Sequence, residues 1–150
     1  LTVTGTTTLA TALTGILKAA SGVVSTATAG TDYAGISNTQ SFTAGQRGSV
    51  SALTSASTIT PNFNTANNFS LTLATNATLA NPTNIAAGQS GCIVITQDST
   101  GSRTLAYGSY WKFVGGTAPT LSTATSAVDE LVYYVESSTR ITAVLLNNVG

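Results

Sequence analysis

The side chains able to do chemistry in this chain are few and scattered. Five carboxylates (Asp32, Asp98, Asp129, Glu130, Glu136), five cations (Lys18, Arg47, Arg103, Lys112, Arg140) and one cysteine, Cys92, are spread over 150 residues, and there is no histidine. A glycoside hydrolase needs two carboxyl groups roughly 5–9.5 Å apart. Asp129 and Glu130 are adjacent, so on a strand they point to opposite faces, and Glu130 and Glu136 share a face about 20 Å apart. Neither pair makes a site within one chain, although carboxylates of different subunits could meet. A Ser-His-Asp arrangement lacks its base, and nothing marks one Ser or Thr as activated. Gly45-Gln46-Arg47-Gly48 lacks the lysine and the following helix of a phosphate loop.

Metal and cofactor chemistry find little support. Zinc and most transition-metal sites draw on His and Cys. Asp98-Ser99-Thr100 offers oxygens that calcium could use, but Asp98 to Gly101 has the composition of a turn. No cofactor and no catalytic residue is expected. Cys92 sits in the apolar run Cys92-Ile93-Val94-Ile95 and reads as a small buried hydrophobe. The sequons Asn68-Phe69-Ser70 and Asn76-Ala77-Thr78 are expected by chance in a chain rich in Asn, Ser and Thr.

Recognition chemistry is left to the aromatics. Tyr107, Tyr110, Trp111 and Phe113 cluster around Gly108-Ser109. Exposed rings among Asn and Ser could stack on sugars, which makes Tyr107, Tyr110 and Trp111 the candidate receptor contacts. The competing and favoured reading is core, because Trp111 and Phe113 fall on one face of a strand.

The elements that must position these groups read as all-β. Residues 1–46 form an extended, β-rich segment of Thr, Ala and Gly, a shaft or attachment segment with too few large apolar side chains to offset backbone ordering. Within it, Leu9 to Ala20 admits a turn or two of helix. Residues 47–150 read as a globular β domain. Short strands are expected at Val50–Leu53, Thr58–Phe63, Phe69–Leu73, Gly91–Gln97, Arg103–Tyr107, Tyr110–Val114, Glu130–Glu136 and Arg140–Leu146. Asn81-Pro82 and Ala87-Gly88 mark turns. The last two strands form a hairpin around Ser137-Ser138-Thr139 that places Glu136 opposite Arg140. One face carries Leu131, Tyr133, Val135, Ile141, Ala143 and Leu145. The other carries Val132, Tyr134, Val144 and Leu146. Both faces are apolar, whereas a sheet in water needs only one such face. Many short strands suggest a β-sandwich of jelly-roll type.

Charge points to assembly. Only 7% of residues are charged and the formal net charge is zero, against roughly 25% charged in an ordinary domain. Scattered cations exclude a nucleic-acid footprint and a polybasic membrane contact, and no apolar run reaches the roughly 18 residues of a membrane helix. A β-rich chain with so little charge should aggregate unless its strand edges and second apolar face are covered by other copies. With Leu1 first and no Met anywhere, the sequence is expected to be a piece of a longer protein.

Several stretches resemble bacteriophage tail-fibre and related virion fibre proteins. Leu13-Thr14-Gly15-Ile16-Leu17-Lys18-Ala19, Ser21-Gly22-Val23-Val24 and Ala29-Gly30-Thr31-Asp32-Tyr33 are similar to a segment recurring in such proteins. Thr58-Ile59-Thr60-Pro61-Asn62-Phe63, Ala80-Asn81-Pro82-Thr83, Gly101-Ser102-Arg103-Thr104-Leu105, Trp111-Lys112-Phe113 and Val128 to Tyr134 are similar to the C-terminal domain often joined to it. The resemblance implies an intertwined homotrimer with a thin shaft and a globular β tip. It implies a virion location after synthesis in the bacterial host cytoplasm. It further implies contacts with other virion proteins, and host adsorption through a surface glycan or protein. A head fibre or capsid decoration is the nearest alternative. A glycan-cleaving tailspike and a bacterial adhesin fibre are the rivals from other classes.

Overall fold

In a computed structural model that describes residues 16–21, 23–27 and 47–149, every regular element except one short 3-10 turn at Val114–Gly116 is a strand. The chain divides into two units, Leu1–Gln46 and Arg47–Gly150. In the first, β1 (Leu17–Ala20) and β2 (Val23–Thr26) form an antiparallel hairpin in which Leu17 pairs with Thr26 and Ala20 with Val23. The helical turn admitted for Leu9 to Ala20 is therefore corrected in its last four residues, which are strand. Residues 9–15 lie outside the described set. β-branched Val and Thr in the returning strand favour the pleated form.

The second unit holds nine strands: β3 (Val50–Leu53), β4 (Thr58–Ile59), β5 (Asn68–Leu73), β6 (Ala77–Leu79), β7 (Ser90–Gln97), β8 (Leu105–Tyr107), β9 (Trp111–Lys112), β10 (Val128–Ser137) and β11 (Arg140–Leu146). They form a six-stranded sheet, β3-β5-β7-β10-β11-β9, and a three-stranded sheet, β4-β6-β8. The chain passes back and forth between the two. β3, β5 and β7 run parallel, as do β4, β6 and β8. A third side is marked by the parallel bridge between Asn62 and Thr83. The first half of the unit is thus a stack of three coils, each one step along from the last.

This corrects the jelly-roll expectation. A jelly roll is built from antiparallel Greek keys, whereas here each sheet of the coils is parallel. The sequence pattern of alternating apolar residues is the same in both cases. What differs is the corners. They are turned by small polar side chains that bond the next coil rather than by hairpin turns. Ser55 Oγ accepts from the Ala74 amide at 3.0 Å, and Asn76 Oδ1 accepts from the Thr104 amide at 3.0 Å. Asn84 Nδ2 donates to Asn62 Oδ1 at 2.8 Å. The buried Gln97 turns the third coil, donating to the carbonyls of Arg103 and Ser122 and accepting from the Arg103 amide, each at 2.9 Å. The Asn, Ser and Thr content is therefore part of the scaffold, because buried or half-buried backbone groups must be paired.

Both sheets share one core. Phe69, Leu71 and Leu73 on β5, Ile93 and Ile95 on β7, and Leu79 on β6 are all buried in it. β10 adds to β7 antiparallel, with Leu131 opposite Ile93, and β11 returns along β10. This antiparallel hairpin ends the run of parallel coils. β9 then covers the β11 edge in parallel, pairing Trp111 with Ile141.

The chain end is clamped by Asp129, which is 1% exposed. Its Oδ2 accepts from the Ser122 amide at 2.7 Å and its Oδ1 from the Asn148 amide at 2.8 Å. Replacing Asp129 by Ala strands two amides. The expected loss is about 2–4 kcal/mol, read as a lowered urea midpoint with an unchanged slope. A loss below about 1 kcal/mol would show that the clamp is replaceable by water.

Candidate functional site

Two surfaces of the second unit carry features that folding alone does not require. The first is the outward face of the six-stranded sheet. Inward residues of the hairpin (Leu131, Tyr133, Val135, Ile141, Ala143) are buried, as the alternation predicts. On the other face Val132 is 41% exposed, Tyr134 51%, Val144 46% and Leu146 45%. Register extends this face across the sheet. Val132 pairs with Val144 on one side and with Cys92 on the other, Cys92 pairs with Asn68, and Asn68 with the exposed Val50.

At the end of the hairpin the register shifts. Ser137 pairs with Arg140, and Glu136 is the extra residue of a bulge between Val135 and Ser137. The expected three-residue turn is shortened to Ser138-Thr139. The ion pair still forms, Arg140 Nε to Glu136 Oε2 at 2.7 Å, and the Thr142 hydroxyl donates to Glu136 Oε1. That hydroxyl and then Arg140 hold the Glu136 carboxyl below its ordinary range. On the same face the Cys92 thiol is pushed up, by burial first and then by Glu130, which leaves it protonated and unreactive near neutrality.

The second surface is a cleft of about 490 Å³ lined by Tyr107, Ser109, Trp111, Lys112, Phe113, Gly116 and Arg140 among others. It is built where β8 ends and β9 begins. At Gly108 a Cβ would lie 2.5 Å from Asn81 Oδ1 and 2.7 Å from its amide nitrogen, so the loop needs glycine to seat against the second coil. Asn81 Oδ1 then accepts from the Tyr110 amide at 2.9 Å, and its Nδ2 donates to Ser109 Oγ at 3.2 Å. Lys112 Nζ donates to the Ser109 carbonyl at 2.7 Å.

The three aromatic candidates part ways. Trp111 is 4% exposed. Its indole donates to the Ala80 carbonyl at 3.1 Å and stands edge-on to Phe63 and Tyr133. It is a core residue whose small exposed remainder lines the cleft. Tyr110 is half-buried against the same core and is not among the cleft-lining residues. Tyr107 lines the cleft, edge-on to Phe113 with ring centroids 4.6 Å apart. Its buried hydroxyl has no partner among the described residues, and burial together with the Asp129 charge pushes the phenol well above its usual value. Sequence reasoning missed Lys112 and Arg140. They are brought to one cleft by the parallel pairing of β9 with β11, which joins segments about thirty positions apart that no local pattern links.

Asp98, like Asp129, is committed to the scaffold. Asp98 Oδ1 accepts from the Thr100 and Gly101 amides at 3.0 and 2.9 Å, closing the turn, while Oδ2 pairs with Arg103 at 2.9 Å. The oxygens that calcium could have used are thus occupied by the protein itself. No group of three or more His, Cys, Asp or Glu able to hold a metal occurs among the described residues.

Stacked coils, carboxylates tied into turns and clamps, and an open apolar face define a β-structural module that presents surfaces. Residues 59–134, just over half of the chain, match the family described as "Putative phage tail fibre C-terminal domain". The chain belongs to this phage tail-fibre family and is a virion component. The match runs from β4 to Tyr134 in the hairpin and takes in the whole cleft lining except Arg140. Comparison with curated proteins and with solved structures gave no match.

Proposed function

We propose that the chain is the distal part of a non-enzymatic, homotrimeric tail fibre that projects from the particle and carries host adsorption. Residues 1–46 act as shaft and residues 47–150 as head. The observation that carries this reading is the outward face of the six-stranded sheet. Val132, Tyr134, Val144 and Leu146 form an apolar strip on a chain with little charge to keep copies apart. In a closed threefold ring each copy's strip is covered by a different surface of its neighbour. Three heads then offer three equivalent clefts, and binding through all of them exceeds the affinity of one by avidity.

Light scattering on the 150-residue chain tests this. The expected mass is three times the 15.0 kDa of one chain, unchanged on dilution. Val132→Lys together with Val144→Glu is expected to give monomers that keep their β circular dichroism. A wild-type monomer at all concentrations would overturn the trimer, and with it the explanation offered for the low charge.

A further inference from the structure

The geometry points to the cleft beside β8 and β9 as a binding site for an acidic saccharide, its anionic group held by Lys112 and Arg140 and its ring laid against Tyr107 and Phe113. This rests on reading the chain as an adsorption fibre, and it names the ligand chemistry of that adsorption.

Charge placement comes first. The chain has five cations and no net charge, yet two of the five line one cleft. A third, Arg103, is closed against Asp98. Arg140 uses only Nε on Glu136, so its two Nη groups remain free to bind a carboxylate or phosphate in the paired geometry arginine favours. Glu136 has both oxygens engaged, by Arg140 and by Thr142. Lys112 and Arg140 against Glu136 leave a local excess of one positive charge.

Shape and surface come second. A volume of about 490 Å³ lies within the range of roughly 300–1,000 Å³ usual for small-ligand sites. One wall is the Tyr107–Phe113 pair, both half-buried and so partly open to a ring. Gly116 also lines the cleft, and a Cβ there would meet nothing within 4 Å, so a ligand can approach the backbone closely. A neutral apolar ligand would leave the Nη groups of Arg140 unused, and a nucleic acid would find too few cations.

The test uses the intact 150-residue chain, trigalacturonic acid as probe and its fully methyl-esterified form as the uncharged analogue of the same shape, followed by amide NMR shifts. Saturable shifts are expected at Lys112, Arg140 and the Trp111 indole, and the ester should bind at least about tenfold more weakly. Arg140→Ala and Lys112→Ala should each weaken binding by about tenfold. Arg47→Ala, which removes the same charge elsewhere, should leave it unchanged. Glu136→Gln should strengthen it by about threefold by removing the competing carboxylate, an effect that a purely structural role for Glu136 does not produce. Equal binding of acid and ester, shifts mapping outside the cleft, or no binding of either would overturn the proposal. Light scattering on the same samples separates the two readings. A trimer that ignores the probe loses only the acidic-saccharide site, whereas a monomer that binds it loses the trimeric reading.

Discussion

Gly91→Ala is expected to destabilise the 47–150 unit by roughly 3 kcal/mol or more. At this position a Cβ would lie 1.8 Å from the Asn67 carbonyl oxygen and 2.7 Å from its carbon. Both are backbone atoms, so no side chain can rotate out of the way. The same carbonyl accepts the Tyr133 hydroxyl at 2.6 Å, and Tyr133 is opposite Gly91 in the β7–β10 pairing. Relief of the clash would have to push the second coil away from the third at its first ladder position, where the Cys92 amide bonds Asn68 Oδ1 at 3.3 Å. Chemical unfolding followed by circular dichroism gives the number. A cost under about 1 kcal/mol would mean that the coils slide past one another more easily than their hydrogen bonds imply.

Phe63→Ala is the second large effect, with an expected loss of about 4 kcal/mol. Phe63 lies outside any strand, on the third side of the first coil, yet it is buried at the centre of the aromatic cluster. It stacks on Tyr133 with centroids 4.8 Å apart and on Phe69 at 5.8 Å, and meets Trp111 edge-on at 6.4 Å. These rings come from the first coil, the second coil, the strand after the third coil and the closing hairpin. Removing the central one leaves a cavity touching the other three, and the pairs are worth about 0.5–1.5 kcal/mol each beyond area burial. The near-ultraviolet signal of Trp111 and Tyr133 should weaken while the strand signal persists below the new midpoint. Phe63→Leu, which keeps much of the volume, should cost distinctly less. Equal costs for Ala and Leu would show that volume is not what Phe63 supplies.

The strands themselves are legible because their alternation reports burial. Phe69, Leu71 and Leu73 point inward and Ser70 and Thr72 do not, as an alternating strand requires. The doubly apolar hairpin is legible for the same reason. Direction is not, since alternation is identical in parallel and antiparallel strands, and the parallel stacking of β3, β5 and β7 follows from corner bonds such as Ser55 to Ala74. β6 is only three residues long, too short for a pattern, and sequence reading passes over it. The cleft was half visible. Tyr107 could be named from aromatic clustering, but its basic partners belong to strands joined only in space. Trp111 shows the limit of residue type as a guide, because an aromatic that could stack on a sugar is here a pillar between Phe63 and Tyr133.

The coils have a consequence for reach. Each repeats the three sides of the one before, and the unlike ends are the open β3 edge and the closing hairpin. Stacked repeats tolerate gain or loss of whole units where each touches only its neighbours. Here Phe63 of the first coil packs on Trp111 in the cleft wall and on Tyr133 of the closing hairpin, so a coil inserted between the first and the third would pull those rings apart. The span from the first coil to the cleft is thus set by the aromatic cluster, and length can be added, in steps of about 4.8 Å, only as coils at the open β3 edge.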